Sequence, residues 1–146
     1  MRYLLDLCVF AEALRVAPDA RVTAWLARSA PAGLATAALV MAELHEAAAR
    51  WQSGLGRNVV NDWVRDLVEA FGAEVLPFDG AAAAAFGRLR ALDLGGERRF
   101  SLADAQTAAT AEAHGLILAT RAPQRFGPWG GAVVDPWAAA PGGTGP

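Results

Sequence analysis

The sequence predicts an α/β domain, a central parallel sheet flanked by helices. Two observations carry this. Short apolar runs of strand length alternate along the chain with longer segments of helical period. The chain is also one domain long: 146 residues can bury roughly 70% of their unfolded surface, so no disulfide or structural metal is needed for folding. A hydrophobic fraction of 54% argues against disorder. Charges interrupt every apolar stretch well short of the ~18 residues of a membrane span.

The elements follow in order. Residues 2–6 read as a buried strand ending in an acid, Asp6. A helix over 9–16 stops at Pro18-Asp19, and a second over 20–28 places Val22, Trp25 and Leu26 on one face. Pro31 marks a turn over 29–33, followed by a short strand at 34–36. Residues 39–52 form a helix in which Leu39, Glu43, Glu46 and Arg50 fall at three- and four-residue spacings. Two glycines break the chain at 53–56, and an amphipathic helix spans 58–71. A strand at 74–78 leads to Asp79 as N-cap of an alanine-rich helix over 80–92. A polar loop at 94–99 precedes a helix over 101–114, which opens Ser101-x-x-Asp104 and ends at Gly115 as C-cap. The last strands are 116–120 and 132–134, separated by an irregular segment at 121–131. Asp135-Pro136-Trp137 closes the domain, residues 1–137, and 138–146 are expected to be a disordered tail.

Composition excludes several chemistries. All 13 basic residues are arginine, so a P-loop, a lysine Schiff base and the lysine-dependent phospho-aspartate folds are ruled out. One cysteine, Cys8, permits neither an internal disulfide nor a cysteine zinc cage. His45 and His114 are too few for a histidine-rich metal site. The net charge of -2 gives no global field for nucleic acid, so such a substrate would need a local arginine patch or a metal bridge. With no signal peptide to read at the first residues, the expectation is a cytoplasmic domain without membrane contact.

Functional residues of parallel sheets gather at the carboxyl ends of the strands. Asp6 sits there; position alone makes an N-cap as good a reading as a metal ligand. Glu43 is by itself a solvated helix glutamate beside Glu46 and Arg50, but it lies in the first turns of a helix that starts just after a strand end. Asp104 completes a capping box with Ser101, worth about 1 kcal/mol, and the helix N-terminus would hold it as a rigid ligand. Thr120 and Arg121 form a polar, cationic wall at the same edge. Carboxylates brought together repel one another. A hard divalent ion relieves that repulsion and can activate water against a phosphodiester. A metal-dependent nuclease or phosphohydrolase is therefore the leading class.

The motifs Tyr3-Leu4-Leu5-Asp6, Ala42-Glu43-Leu44, Val75-Leu76-Pro77-Phe78-Asp79, Ser101-Leu102-Ala103-Asp104-Ala105-Gln106, Ala113-His114-Gly115, Leu118-Ala119-Thr120-Arg121 and Val134-Asp135-Pro136-Trp137 run nearly end to end. In this order and spacing the chain resembles PIN-domain proteins, specifically VapC-type toxins of the FitB-like branch. The resemblance implies a PIN-like α/β/α sandwich with a central parallel sheet. It implies an acidic pocket of Asp6, Glu43 and Asp104 that binds Mg²⁺ or Mn²⁺, endoribonuclease activity on RNA, a homodimer, and an antitoxin that covers the pocket.

Four departures cluster at that pocket. Where the family usually reads Asp-Thr-Asn, this chain has Asp6-Leu7-Cys8; Leu7 offers no side-chain hydrogen bond and Cys8 only a weak one. Beyond Thr120-Arg121, Ala122 replaces an asparagine, and Arg125, before Phe126, replaces a fourth acid. Three acids give the site a charge of -3, and Arg125 can bring it to -2, enough for one divalent ion and too little for a second. Arg125 could instead bind the phosphate, alongside Thr120 and Arg121, or pair with a carboxylate. Glu12 is a possible substitute acid, although a solvated helix glutamate is the simpler reading. Two functions follow: a three-acid endoribonuclease toxin, or a PIN fold that binds antitoxin or RNA without cutting. Trp25 and Trp63 are expected in the core, and Trp51 at a dimer or antitoxin contact. Arg57, Arg98 and Arg99 are candidate phosphate contacts.

Overall fold

The computed structural model describes residues 2–50, 57–92 and 100–138. Strand β1 (Tyr3–Leu5) leads to helices α1 (Leu7–Ala13) and α2 (Ala20–Ser29). After a 3-10 turn at Ala30–Ala32, β2 (Leu34–Ala37) runs straight into α3 (Ala38–Arg50). Then come α4 (Arg57–Phe71), β3 (Glu74–Leu76), α5 (Gly80–Leu92) and α6 (Leu102–Ala113). The chain ends with β4 (Ile117–Ala119), a 3-10 helix at Pro123–Trp129 and β5 (Val133–Val134).

The five strands form one sheet in the order β3-β2-β1-β4-β5, and every pairing is parallel. Helices cover it, as the α/β/α expectation requires. β1 lies in the middle, with Leu5 opposite Thr36 on one side and Ala119 on the other. Leu4 and Leu5 have no exposed surface, as befits a strand with neighbours on both edges. From β1 the chain steps outward to β2 and β3, then crosses back to place β4 against the other side of β1. The order therefore reverses between β1 and β4. In open parallel sheets such a reversal opens a crevice at the strands' carboxyl ends, where ligands bind.

Most element boundaries match the sequence reading; the differences have physical reasons. β1 ends one residue early, because Asp6 turns out of the strand as the N-cap of α1 and accepts the Leu7 N–H at 2.8 Å. That cap also starts α1 two residues sooner than expected. β3 stops at Leu76, because Pro77 has no N–H to give the sheet. Phe78 instead meets Phe86 edge-on, with centroids 5.8 Å apart. Within the segment read as irregular, residues 123–129 wind into a 3-10 helix held by Phe126, which is buried against Phe100.

Trp25 is buried and meets Tyr3 edge-on, as expected of a core residue. Trp63 is not in the core: it is 42% exposed, because Val64 and Leu67 take the inward positions of α4. Glu12 is not a solvated helix glutamate. It is buried and accepts the Asp19 N–H at 2.8 Å, tying α1 to the start of α2. No helix among the described residues is long and apolar enough to cross a membrane. The expectations for Trp51, the 53–56 break, the Arg57 side chain, Arg98, Arg99 and residues 139–146 lie outside the described residues.

Candidate active site

The crevice between β1 and β4 is built around Asp6. Backbone geometry fixes its carboxylate first, since capping α1 commits Oδ1 to the Leu7 N–H. The end of β4 fixes the other oxygen: the Thr120 hydroxyl donates to Oδ2 at 2.7 Å. Asp6 is 5% exposed and Thr120 is wholly buried. The threonine therefore stands behind the acid and orients it, rather than lining the wall facing a substrate.

Cys8, on the first turn of α1, completes this support. Its Sγ lies 3.6 Å from Asp6 Oδ2 and 3.6 Å from Thr120 Oγ1, and accepts the Arg121 N–H at 3.3 Å. Burial first, and then the nearby Asp6 charge, push the Cys8 thiol up, so it is protonated at neutral pH and can donate to the carboxylate. The sequence reading gave Cys8 only a weak hydrogen bond. The structure puts that weak donor between β1 and β4, where it bridges the acid and the Thr120-Arg121 backbone. Leu7 contributes its N–H, and its side chain lines an apolar groove on another side of α1.

Asp104 comes from the first turn of α6. Its N–H donates to Ser101 Oγ at 3.0 Å, which is half of the expected capping box. Its own carboxylate turns toward Arg125: Nε donates to Oδ2 at 3.2 Å and Nη2 donates to Oδ1. The guanidinium thus grips both oxygens, the fork geometry in which arginine binds carboxylates most strongly. Asp104 is 7% exposed, whereas the arginine side chain is half exposed. The pair closes the crevice from the α6 side.

Glu43 lies in the second turn of α3 and is partly buried. Glu46 pairs with Arg50 at 2.6 Å, so the charged face the helix was expected to show is made without Glu43. Its carboxyl is pushed up, first by burial and then by the Asp6 and Asp104 charges; Arg125 opposes the shift. Glu43 thus feels the charges of the two other acids and of the arginine that the sequence singled out. Arg121, exposed at the rim, lies over the Trp137 ring with its guanidinium carbon 5.3 Å from the centroid.

An all-oxygen, mutually repelling donor set has the chemistry that suits a hard divalent cation. No three His, Cys, Asp or Glu side chains among the described residues stand ready to hold an ion as they are, and Arg125 occupies Asp104. The donors fit such an ion in kind and in charge, with Arg125 as the resident competitor for one of them.

A second feature lies on the helical side. Leu7, Ala11, Leu14, Leu44, Ala48 and Trp63 line an apolar groove of about 520 Å³ between α1, α3 and α4. Sequence reasoning missed it. The signal was present in Trp63, which faces outward from an amphipathic helix whose inward positions are already filled.

The family model for the PIN domain matches residues 3–123. Toxin FitB of Neisseria gonorrhoeae is 33% identical over 135 residues, which is 92% of this chain and 97% of that protein. VapC ribonuclease Y4jK of Sinorhizobium fredii is 31% identical over 135 residues, covering 92% of this chain and 96% of that one. Among solved structures, FitAcB from Neisseria gonorrhoeae superposes with a TM-score of 0.83 at 33% identity, over 95% of this chain and all of that one.

Proposed function

The chain belongs to the PIN-domain family, and from that premise we propose that it is the toxin of a type II toxin–antitoxin pair, a metal-dependent endoribonuclease that hydrolyses RNA phosphodiester bonds. One observation carries this reading: Asp6, fixed at the end of β1, and Asp104, gripped by Arg125, stand at the reversal point of the sheet, and the charges of both act on Glu43.

Each residue then has a task. Asp6, Glu43 and Asp104 would hold Mg²⁺ or Mn²⁺, which supplies a polarised phosphate and an acidified water when bound. Asp6 is held rigid by Leu7 N–H, Thr120 and Cys8, so its oxygens need no reorganisation. The Glu43 carboxyl is pushed up by burial and by the neighbouring acids, and a raised carboxyl suits a base that takes a proton from an attacking water. Arg121 and Arg125 supply the local positive charge that the negative chain lacks overall, and they draw in the RNA backbone. The apolar groove takes an amphipathic helix of the antitoxin, in the manner of helix-in-groove recognition. A homodimer belongs to the same reading, on the strength of the family resemblance.

The ion pair between Arg125 and Asp104 favours a second reading, a binding module that holds antitoxin or RNA without cleavage. Incubating the purified chain with total cellular RNA and Mn²⁺, then mapping new 5′ ends, separates the two. The nuclease reading predicts discrete cuts that disappear in Asp6→Asn. Intact RNA at every Mn²⁺ concentration, with RNA still bound, supports the module instead.

A further inference from the structure

We infer that Arg125 is an internal counter-ion that holds Asp104 closed against metal in the free protein and releases it when an RNA phosphate draws the guanidinium away. This rests on the reading of Asp6, Glu43 and Asp104 as a metal-binding set.

The position of Arg125 is built into the fold. Phe126, the next residue, is 1% exposed and meets Phe100 edge-on at 6.2 Å. Trp129, at the end of the same 3-10 helix, donates its indole N–H to Glu112 of α6 at 3.0 Å, and Arg88 of α5 binds that glutamate at 2.9 Å. The Arg125 N–H donates to the Ala122 carbonyl at 3.0 Å. These contacts fasten the arginine's backbone to the helix that carries Asp104, while its side chain stays half exposed. A guanidinium placed this way can swing without unfolding anything.

The competition follows from charge. Arg125 puts a positive charge against both oxygens of Asp104, on the side of the carboxylate that it grips. A metal ion at that carboxylate must therefore displace the guanidinium or bind against its charge. A phosphate is the other group that fits the guanidinium fork, and RNA brings one to this rim. RNA and metal then favour each other's binding, and the coupling is reciprocal. A fourth carboxylate at position 125 would do none of this; it would draw the ion in unconditionally.

Mn²⁺ titration by calorimetry tests the inference on the intact chain, with no dependence on cleavage. Arg125→Gln should bind Mn²⁺ about tenfold more tightly than wild type, given the strength of a charge-assisted carboxylate pair. Asp104→Asn in the Arg125→Gln background should remove that gain. A short 2′-O-methyl phosphorothioate oligonucleotide should tighten Mn²⁺ binding to wild type and leave Arg125→Gln unchanged. Equal Mn²⁺ affinity in wild type and Arg125→Gln overturns the inference while leaving the metal site standing. Absence of Mn²⁺ binding in both overturns it together with the metal reading of the three acids.

Discussion

At the residue scale, the chemistry of the crevice is set by what each carboxylate is bonded to. Asp6 has hydrogen-bond donors on both oxygens, Asp104 has an arginine, and Glu43 is left to burial and to the repulsion of the other two. Glu43 carries a consequence for stability. Unfolded, it titrates near 4.5; folded, it titrates higher. Between those values the native state holds the extra proton, so folding stability falls as pH rises through that window. Glu43→Gln removes the loss. In chelator, the variant should melt with wild type below about pH 4 and above it at pH 7, by less than about 1 kcal/mol because the group is only partly buried and solvent screens it. Thermal melts at the two pH values check this; a glutamine variant no more stable than wild type at pH 7 would mean that Glu43 feels no net repulsion. The acids' positions were legible in the sequence, since strand ends and capping spacings can be counted. The partners were not. Asp6 and Thr120 stand 114 positions apart, and only the β1–β4 pairing makes them neighbours.

At the element scale, short junctions place the site. A single residue, Asp6, separates β1 from α1, and nothing separates β2 from α3, so acids near those junctions are forced to the sheet's edge. α6 depends instead on its cap. Ser101→Ala removes the hydroxyl that accepts the Asp104 N–H and should cost about 1 kcal/mol in urea unfolding. It should also loosen the turn that presents Asp104, so any loss of cleavage should exceed what the stability change explains. Unchanged stability would assign the cap no role. Where the sequence reading slipped, tertiary contacts decided. The 121–131 segment has the prolines and glycines of a loop, yet burial of Phe126 winds part of it into a 3-10 helix and aims Arg125 at Asp104. Glu12 reads as a surface glutamate until α2 is placed beside α1 and needs an acceptor for the Asp19 N–H. Trp63 reads as core because tryptophan is large and apolar, but Val64 and Leu67 already fill the inward face of α4.

At the scale of the whole molecule, the order β3-β2-β1-β4-β5 does the functional work. The reversal between β1 and β4 collects residues from α1, α3, α6 and the 3-10 helix into one crevice, while the apolar groove of α1, α3 and α4 lies on another side of α1. On the proposed function, cleavage and antitoxin capture would share α1, which carries the Asp6 cap at its start and Leu7 toward the groove. The parallel α/β class was legible from alternation alone, whereas the crevice required the strand order.

The central claim is that Asp6 and Asp104 serve one site acting on RNA. Cleavage rates of Asp6→Asn, Asp104→Asn and the double variant, measured on one end-labelled RNA with excess Mn²⁺, test it most directly. Groups that act as a unit are strongly non-additive. The expected result is that each single substitution lowers the rate by at least about a hundredfold and the double variant is no slower than the worse single. Two small losses that simply multiply, or a double variant that still cuts at the wild-type rate, would contradict it.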